Sequence, residues 1–430
     1  MVVVAIFLAL IALMVIGLPL IFAMGIASAL YLWAADISLS VMTQRMTSAV
    51  DSFVILAIPL FFLAGELLNA CKLTERIVAM SRALVGHIHG GLAQVNILAS
   101  MIFAGMSGSA TADTAALGSV LIPSMKKEGY PAPFSAAVTV SSAMIGPIIP
   151  PSIGMVIYGA VADVSIGRLL LAGIVPGVTI GLILMGYTYF YARSQGFPRY
   201  PRATGRQVLR AGYRGGAATL MPVIIVLGII SGAFTPTEAA GAAVLYAFLL
   251  GTMVYRNMSL GDFWTVFVHV SLASARILAF ITVAATFSWI MVREQVPQLI
   301  ATSLATVTDN PLLILILMVI FLLAVGLFLV ASSAEIVLAP ILVPVVIQFG
   351  IDPVHFGVLM VFTLIVGGGT PPVGVLLYIA QDIAKVPFSA LVRAMAPFYV
   401  PLFVALAVIM LFPGLSLWIP DMVFGPASGP

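Results

Sequence analysis

Charge is the scarcest property of this chain: Asp, Glu, Lys and Arg make up 8% of its 430 residues. So little charge excludes a large water-soluble domain, because soluble proteins do not leave extensive apolar surface facing water. There is one cysteine, Cys71, which excludes an internal disulfide and a multi-thiolate metal site and reads as a small apolar residue. The four histidines, His87, His89, His269 and His355, lack metal-ligand spacing and are read as interfacial or packing residues. No Gly-rich phosphate loop of the Walker type occurs, so the chain does not itself hydrolyse ATP and must draw on an ion gradient or another source. The opening MVVVAIFLAL has no basic region and reads as a retained helix, not a cleaved signal peptide.

Apolar residues fill the space that charge leaves. They make up 62% of the chain, and the mean hydropathy is +1.21, values that require an integral membrane protein. At about 20 residues per spanning helix, roughly ten crossings fit, with shorter pieces between them and no soluble domain of useful size. A pI near 9.0 would suggest nucleic acid in a soluble protein; here the basic residues are topology markers, and no nucleic-acid partner is expected.

Proline and glycine recur in a spaced pattern. Pro123, Gly129, Gly146, Pro150, Pro151 and Pro176 return, each 221 positions later, as Pro344, Gly350, Gly367, Pro371, Pro372 and Pro397. The match is read as gapless and predicts an all-α protein of two equivalent halves, 1–192 and 216–430, joined by a basic linker, 193–215. Each half carries a helix broken at a Gly/Pro run, GPIIPPSIG within 132–163 and GGGTPPVG within 354–383. Broken helices at matching places in two repeats point to a binding site near the middle of the membrane.

Full spans are expected near 1–17, 19–35, 51–70 and 170–192 in the first half, and near 217–233, 238–255, 270–291 and 396–417 in the second. An amphipathic stretch from Lys72 to Gly86, with Arg76 and Arg82 on its polar side, and another from Arg293 to Thr308 are expected to lie along the interface. Residues 88–127 and 311–348 read as re-entrant hairpins, with tips near Ser107–Asp113 and Ala331–Glu335. Non-helical backbone at such depth survives only where protein or a polar cavity covers it. Glu238, after Thr235-Pro236-Thr237, reads as a carboxylate at a helix start, and Arg276 as a residue snorkelling to the interface.

Five crossings and one returning hairpin per half make the halves inverted. With both termini outside, fourteen of the 18 basic residues fall on the cytoplasmic side: Lys72, Arg76, Arg82, Lys126, Lys127, Arg193, Arg199, Arg202, Arg206, Arg210, Arg214, Arg256, Lys385 and Arg393. The linker arginines among them read as a solvated loop. Arg45, Arg168 and Arg293 lie outside.

The segments GYPAPFSAAV, GPIIPPSIGMVIYGAVADVSIGRLLLAGIVPG, TPTEAAGAA, PILVPVVIQFGIDPVHFGVLM and TPPVGVLLYIA, in this order, closely resemble the large membrane subunit of tripartite ATP-independent periplasmic (TRAP) transporters, over nearly the whole chain. The resemblance implies sodium-driven uptake of an organic acid, such as a dicarboxylate or sialic acid, across a bacterial inner membrane by an elevator-like moving domain. It also implies a small four-helix membrane subunit and a periplasmic substrate-binding protein. The chain departs from the family where FLDPTA is common, reading Phe328, Leu329, Val330, Ala331, Ser332, Ser333, Ala334 and Glu335. Glu335 is a candidate to supply the missing charge.

Sodium takes oxygen ligands, which unwound carbonyls and small hydroxyls provide. The candidate sodium ligands are Ser107, Ser109, Thr111, Gly146, Pro147 and Ile149 in the first half, and Ser332, Ser333, Gly367, Gly368 and Thr370 in the second. Glycine lets carbonyls turn toward an ion, and proline keeps the helix from closing over the gap. Asp113 and Glu335 are costly in a bilayer and so are functional candidates. Together with Ser141, Pro150, Pro151, Pro371 and Pro372 they are assigned to the substrate, whose negative charge would meet the half-helix starts after 151 and 372. A proton-coupled transporter, an ion channel and an intramembrane enzyme are the alternatives. The last would need paired carboxylates, a serine with a base or a metal cluster, none of which the sequence supplies.

Overall fold

The computed structural model describes residues 2–71 and 73–426, all in helices and connections, with no strand among them. Lys72 and the side chain of Arg214, both counted above as basic markers, lie outside the described residues. The chain opens with α1 (Val2–Val15), α2 (Leu20–Ala34), α3 (Ser40–Val50), α4 (Ala57–Ala70) and the amphipathic α5 (Thr74–Val85). A hairpin of α6 (Gly91–Ser107) and α7 (Ala110–Lys127) follows, then α8 (Ala132–Ala143) and α9 (Ile153–Ala162), then α10 (Ile166–Ala172) and α11 (Ile174–Ser194).

The remainder begins with α12 (Gly205–Ile230), α13 (Pro236–Leu249), α14 (Leu260–Arg293) and α15 (Val296–Ala305). A second hairpin, α16 (Pro311–Gly326) and α17 (Ala331–Gln348), leads to α18 (Pro353–Gly368), α19 (Val375–Ala384), α20 (Phe388–Leu411) and α21 (Gly414–Phe424). Among the described residues six helical segments are long and apolar enough to cross a bilayer alone, or seven if the two arms of the bent α12 make one span. The chain is a multi-pass membrane protein.

Local chemistry sets many of these boundaries. Thr204 with Gln207, Thr235 with Glu238 and Ser259 with Asp262 form reciprocal caps that start α12, α13 and α14. Glu238 is therefore the helix-start carboxylate that its position suggested; it accepts from the Thr235 amide at 2.8 Å. Gly129 and Gly350, 221 positions apart, both take the left-handed conformation (φ +88 and +71) that lets α7 and α17 turn into the next helix.

Several expectations need correction. The arginine-rich linker is not a loop throughout: α12 begins at Gly205, so Arg206 and Arg210 are helical. Helix α3 was not foreseen, because SVMTQRMTSAV has no apolar run; it packs along α14. Nor was α21, which closes against α10, where Asp421 pairs with Arg168 and the Gly425 carbonyl accepts from Arg168 Nη1 at 2.8 Å. The 221-residue correspondence is also not gapless in structure. Helices α7 and α17 start and end 221 residues apart, but α9 and α19 are displaced by 222, because one extra residue follows Pro371-Pro372. The register recovers by Pro176 and Pro397, where the α10–α11 pair, interrupted at Gly173, corresponds to the continuous α20.

Packing separates two groups of helices. Helices α2, α3, α4, α13 and α14 pack on one another, with α12 against α13. The hairpins and broken helices form the other group, and they interlock crosswise: α7 packs on α8 and on α19, while α17 packs on α18 and on α9. The second arm of each hairpin thus touches a half-helix from the opposite half of the chain. Buried polar pairs tie α6 to α8, with Asn96 Nδ2 donating to Thr139 Oγ1 at 2.7 Å and Ser100 to Ser142 at 2.9 Å. In the second half glycine takes this role instead. A Cβ at Gly367 would lie 2.8 Å from the Gly326 Cα, so α16 and α18 meet backbone to backbone.

Gly367→Ala is therefore expected to push the two helices apart at a cost of about 1–3 kcal/mol, as overpacking typically does. Thermal unfolding of the purified protein checks this. Gly368→Ala is the control, because a Cβ there meets nothing within 4 Å. Equal melting temperatures for the two variants would contradict the close helix crossing.

Candidate transport site

The first hairpin turns at Gly108, whose φ of +60 suits glycine and whose missing side chain lets the turn rest on the Pro151 carbonyl. Ser109 then caps α7, its hydroxyl accepting from the Ala112 amide at 3.5 Å and lying 3.0 Å from Thr111 Oγ1. One turn into the helix, Asp113 is completely buried and receives a hydrogen bond from the Ser107 hydroxyl on Oδ1. Its Oδ2 has no partner among the described residues and points at the first helix break: a Cβ on Gly146 would come 2.5 Å from it. Ser107 and Asp113 of the tip and the more distant Gly146 thus form one oxygen-bearing cluster against a break.

The breaks themselves are built from unwound backbone. Across Met144–Ser152, the Ser152 hydroxyl donates to the Pro147 carbonyl and accepts from the Met155 amide at 3.1 Å, which starts α9. Across Gly369–Gly374, the Tyr399 hydroxyl donates to the Gly369 carbonyl at 3.0 Å and Gly374 takes φ +56 ahead of α19. The Pro150-Pro151 and Pro371-Pro372 bonds are both cis.

Both hairpin tips and both breaks open on one cavity of about 280 Å³. The first tip contributes Ser109 and Thr111, the first break Pro147, and α9 contributes Ile153, Gly154 and Ile157. From the second half come Leu327–Ser332, Glu335, Gly368 and the start of α19. Phe62 of α4 and Ile277 of α14 close it from the other helix group. No Lys, Arg or His lines it among the described residues, so a negative ligand would rely on the α9 and α19 amino ends for positive potential.

Of the residues expected here, Ser109, Thr111, Pro147, Ser332, Glu335 and Gly368 line the cavity, and Ser107, Asp113 and Gly146 cluster behind the first tip. The others are placed differently. Ser141 bonds back to the Val138 carbonyl at 3.0 Å, and Thr370 to the Val366 carbonyl at 2.7 Å. Ile149 packs on Gly177 of α11, and Gly367 is taken up by the contact with Gly326. Ser333, Pro150, Pro151, Pro371 and Pro372 do not line the cavity; the prolines shape the breaks.

The second tip also turns earlier than expected, at Leu327–Val330, so Ser332, Ser333 and Glu335 sit in the first turns of α17. It is apolar, with Phe328 and Val330 exposed and no side-chain cap on α17. The two carboxylates are not equivalent. Asp113 corresponds to Ala334 and Glu335 to Thr114, and one residue turns a helical side chain by about 100°. Asp113 consequently faces the break of its own half, whereas Glu335 faces α9 of the other: a Cβ on Gly154 would lie 3.2 Å from its Oε1. Gly108 and Gly154 escaped the sequence reading, since their roles depend on neighbours distant in the chain.

Two hairpins and two interrupted helices meeting in a cavity define a membrane transport protein of the broken-helix kind. The chain belongs to the family described as the tripartite ATP-independent periplasmic transporter, DctM component, whose model matches residues 7–415. It is 41% identical to the sialic acid TRAP transporter large permease protein SiaM of Vibrio cholerae, over 96% of each chain. It is 34% identical to the C4-dicarboxylate TRAP transporter large permease protein DctM of the same organism, over 99% of each. Among solved structures it resembles the YdaH transporter of Alcanivorax borkumensis, with a TM-score of 0.62 and 15% identity over 91% of this chain and 90% of that one, a likeness of fold alone. The relatives are permeases, which sets aside the enzyme alternative.

Proposed function

We propose that the protein carries out sodium-coupled uptake of an organic acid anion handed over by a periplasmic binding protein, working beside a small four-helix membrane subunit in a bacterial inner membrane. The observation that carries this reading is the single cavity shared by both hairpin tips and both helix breaks, with the Ser107–Asp113–Gly146 cluster behind one tip. A sodium ion there would complete the coordination of Asp113 Oδ2, a buried carboxylate oxygen with no other partner among the described residues. The hairpins and broken helices would move as an elevator against the α2–α4 and α12–α14 scaffold, the two halves being inverted repeats.

Purified alone in liposomes, the chain is expected to take up little solute. Uptake should appear when the small subunit and loaded binding protein are added with an inward sodium gradient. Fast uptake of free solute by the chain alone would overturn the tripartite reading. Uptake that follows an imposed pH gradient and ignores sodium would favour proton coupling through Asp113 or Glu335.

The inverted arrangement has its own test. Arg76 stacks over Tyr255 and Arg82 over Tyr200, so these predicted cytoplasmic residues lie in contact with connections read as sharing their side. Arg45 and Arg293, read as outside, both lie over Trp289. A cysteine at exposed Gly205 should label only from the cytoplasm and one at exposed Asn310 only from outside, with buried Cys71 giving no background. Labelling of both from one side would end the inverted-repeat proposal.

A further inference from the structure

We propose that Glu335 receives a positively charged group of the transported solute, so that the preferred solute is an amine-bearing organic acid and not a simple dianion; this rests on the transporter reading above. Glu335 lines the cavity, is 1% exposed, and has a buried Oε2 without a hydrogen-bond partner among the described residues. Among the described residues it forms no ion pair. Of the helices packed on α17, the basic side chain nearest the cavity in sequence is Arg276 of α14, next to the lining residue Ile277; it is exposed and makes no ion pair with Glu335. Tyr158 of α9 gives its hydroxyl to the Pro353 carbonyl at 2.7 Å, and α15 and α16 carry no ionisable side chain.

The lining otherwise offers only three hydroxyls, from Ser109, Thr111 and Ser332, together with apolar groups and the amino ends of α9 and α19. A dianion entering this space would bring two negative charges toward a carboxylate with no basic side chain to separate them. A solute with one acidic end and one ammonium satisfies both poles: the acid meets a helix amino end and the ammonium meets Glu335. The position of the carboxylate one residue beyond the Asp113 equivalent supports this division of labour. Asp113 is turned away behind its tip, whereas Glu335 is turned into the shared space.

The test uses the purified full chain and matched solutes that differ only by hydroxyl against ammonium: glycolate and glycine, lactate and alanine, malate and aspartate, isethionate and taurine. Thermal unfolding followed by tryptophan fluorescence reads binding, first in choline chloride and then in sodium chloride. At least one amine should bind about tenfold more tightly than its hydroxy twin, the scale of one charge-assisted hydrogen bond. Glu335→Gln should erase that preference and Glu335→Asp should retain part of it. Gly154→Ala provides a second, independent variant should Glu335→Gln fail to fold. Its Cβ would crowd Oε1 at 3.2 Å and Val361 at 3.0 Å, and it should weaken amine binding selectively. No amine preference in any pair, a preference that survives Glu335→Gln, or a Glu335-dependent response to sodium alone would each overturn the proposal. Because binding is read without any gradient, failure of sodium-driven uptake in the complete transporter would refute the coupling and leave this result standing.

Discussion

Gly146→Val is expected to abolish sodium-driven uptake by the complete transporter, while leaving the protein in the membrane at near-normal amounts. Even a single Cβ at this position would sit 2.5 Å from Asp113 Oδ2 and 3.1 Å from the Ala143 carbonyl, so the larger valine must displace the carboxylate or the break. Gly146→Ala should have an intermediate effect. Ser107→Ala removes the hydroxyl that holds Asp113 and should raise the sodium concentration for half-maximal uptake by about 10–100-fold, the usual effect of losing a group that orients a metal ligand. Asp113→Asn should do at least as much. The measurement is initial uptake at fixed solute across a sodium series. A Gly146→Val transporter with unchanged sodium dependence would remove the first tip from the coupling mechanism.

Much of this arrangement was legible because membrane helices leave strong traces. Apolar runs marked the long helices α4, α11, α13, α14 and α20, whereas the runs expected to span at 1–17 and 19–35 form the shorter α1 and α2. The Gly/Pro runs located both breaks to within a few residues, since proline removes a donor and fixes φ wherever it falls. The first tip was legible for the same reason: Ser107, Ser109 and Thr111 are poor residues for a helix interior and good ones for a turn and cap. The second tip was misplaced because its turn, Leu327–Val330, contains no Gly, Pro, Asn or Ser, and is held by its surroundings instead of by local preference. Helix α3 was lost because its stability comes from lying along α14, which its own composition does not reveal.

The site was harder to read than the fold for a geometrical reason. Sequence spacing treats Asp113 and Glu335 as counterparts, since both follow a hairpin tip. Their offset of one residue sends one toward Gly146 and the other toward Gly154. The same limitation affected the serines: Ser141 and Ser142 are small hydroxyls near a break, yet one bonds to its own helix and the other is committed to Ser100. The composition of a segment says that oxygen is present; only the packing of neighbouring helices says where each oxygen points.

A disulfide between Gly105→Cys on α6 and Pro222→Cys on α12, made in a Cys71→Ala background, is expected to stop uptake and to release it again on reduction. The two positions face each other across the boundary between the hairpin group and the scaffold; a Cβ on Gly105 would lie 3.2 Å from the Pro222 Cβ. That is slightly closer than the usual separation of about 3.5–4.5 Å for disulfide Cβ atoms, so modest relaxation suffices. Removing the proline ring also relieves the crowding that its Cγ, at 2.6 Å, would impose on any side chain at position 105. An elevator requires α6 to slide past α12 by much more than a covalent bond permits, so the oxidised protein should bind solute from one side and never deliver it. Each single cysteine variant should transport with and without oxidant. Full uptake by the quantitatively crosslinked protein would mean that α6 and α12 travel together or not at all, and the boundary of the moving body would have to be drawn elsewhere.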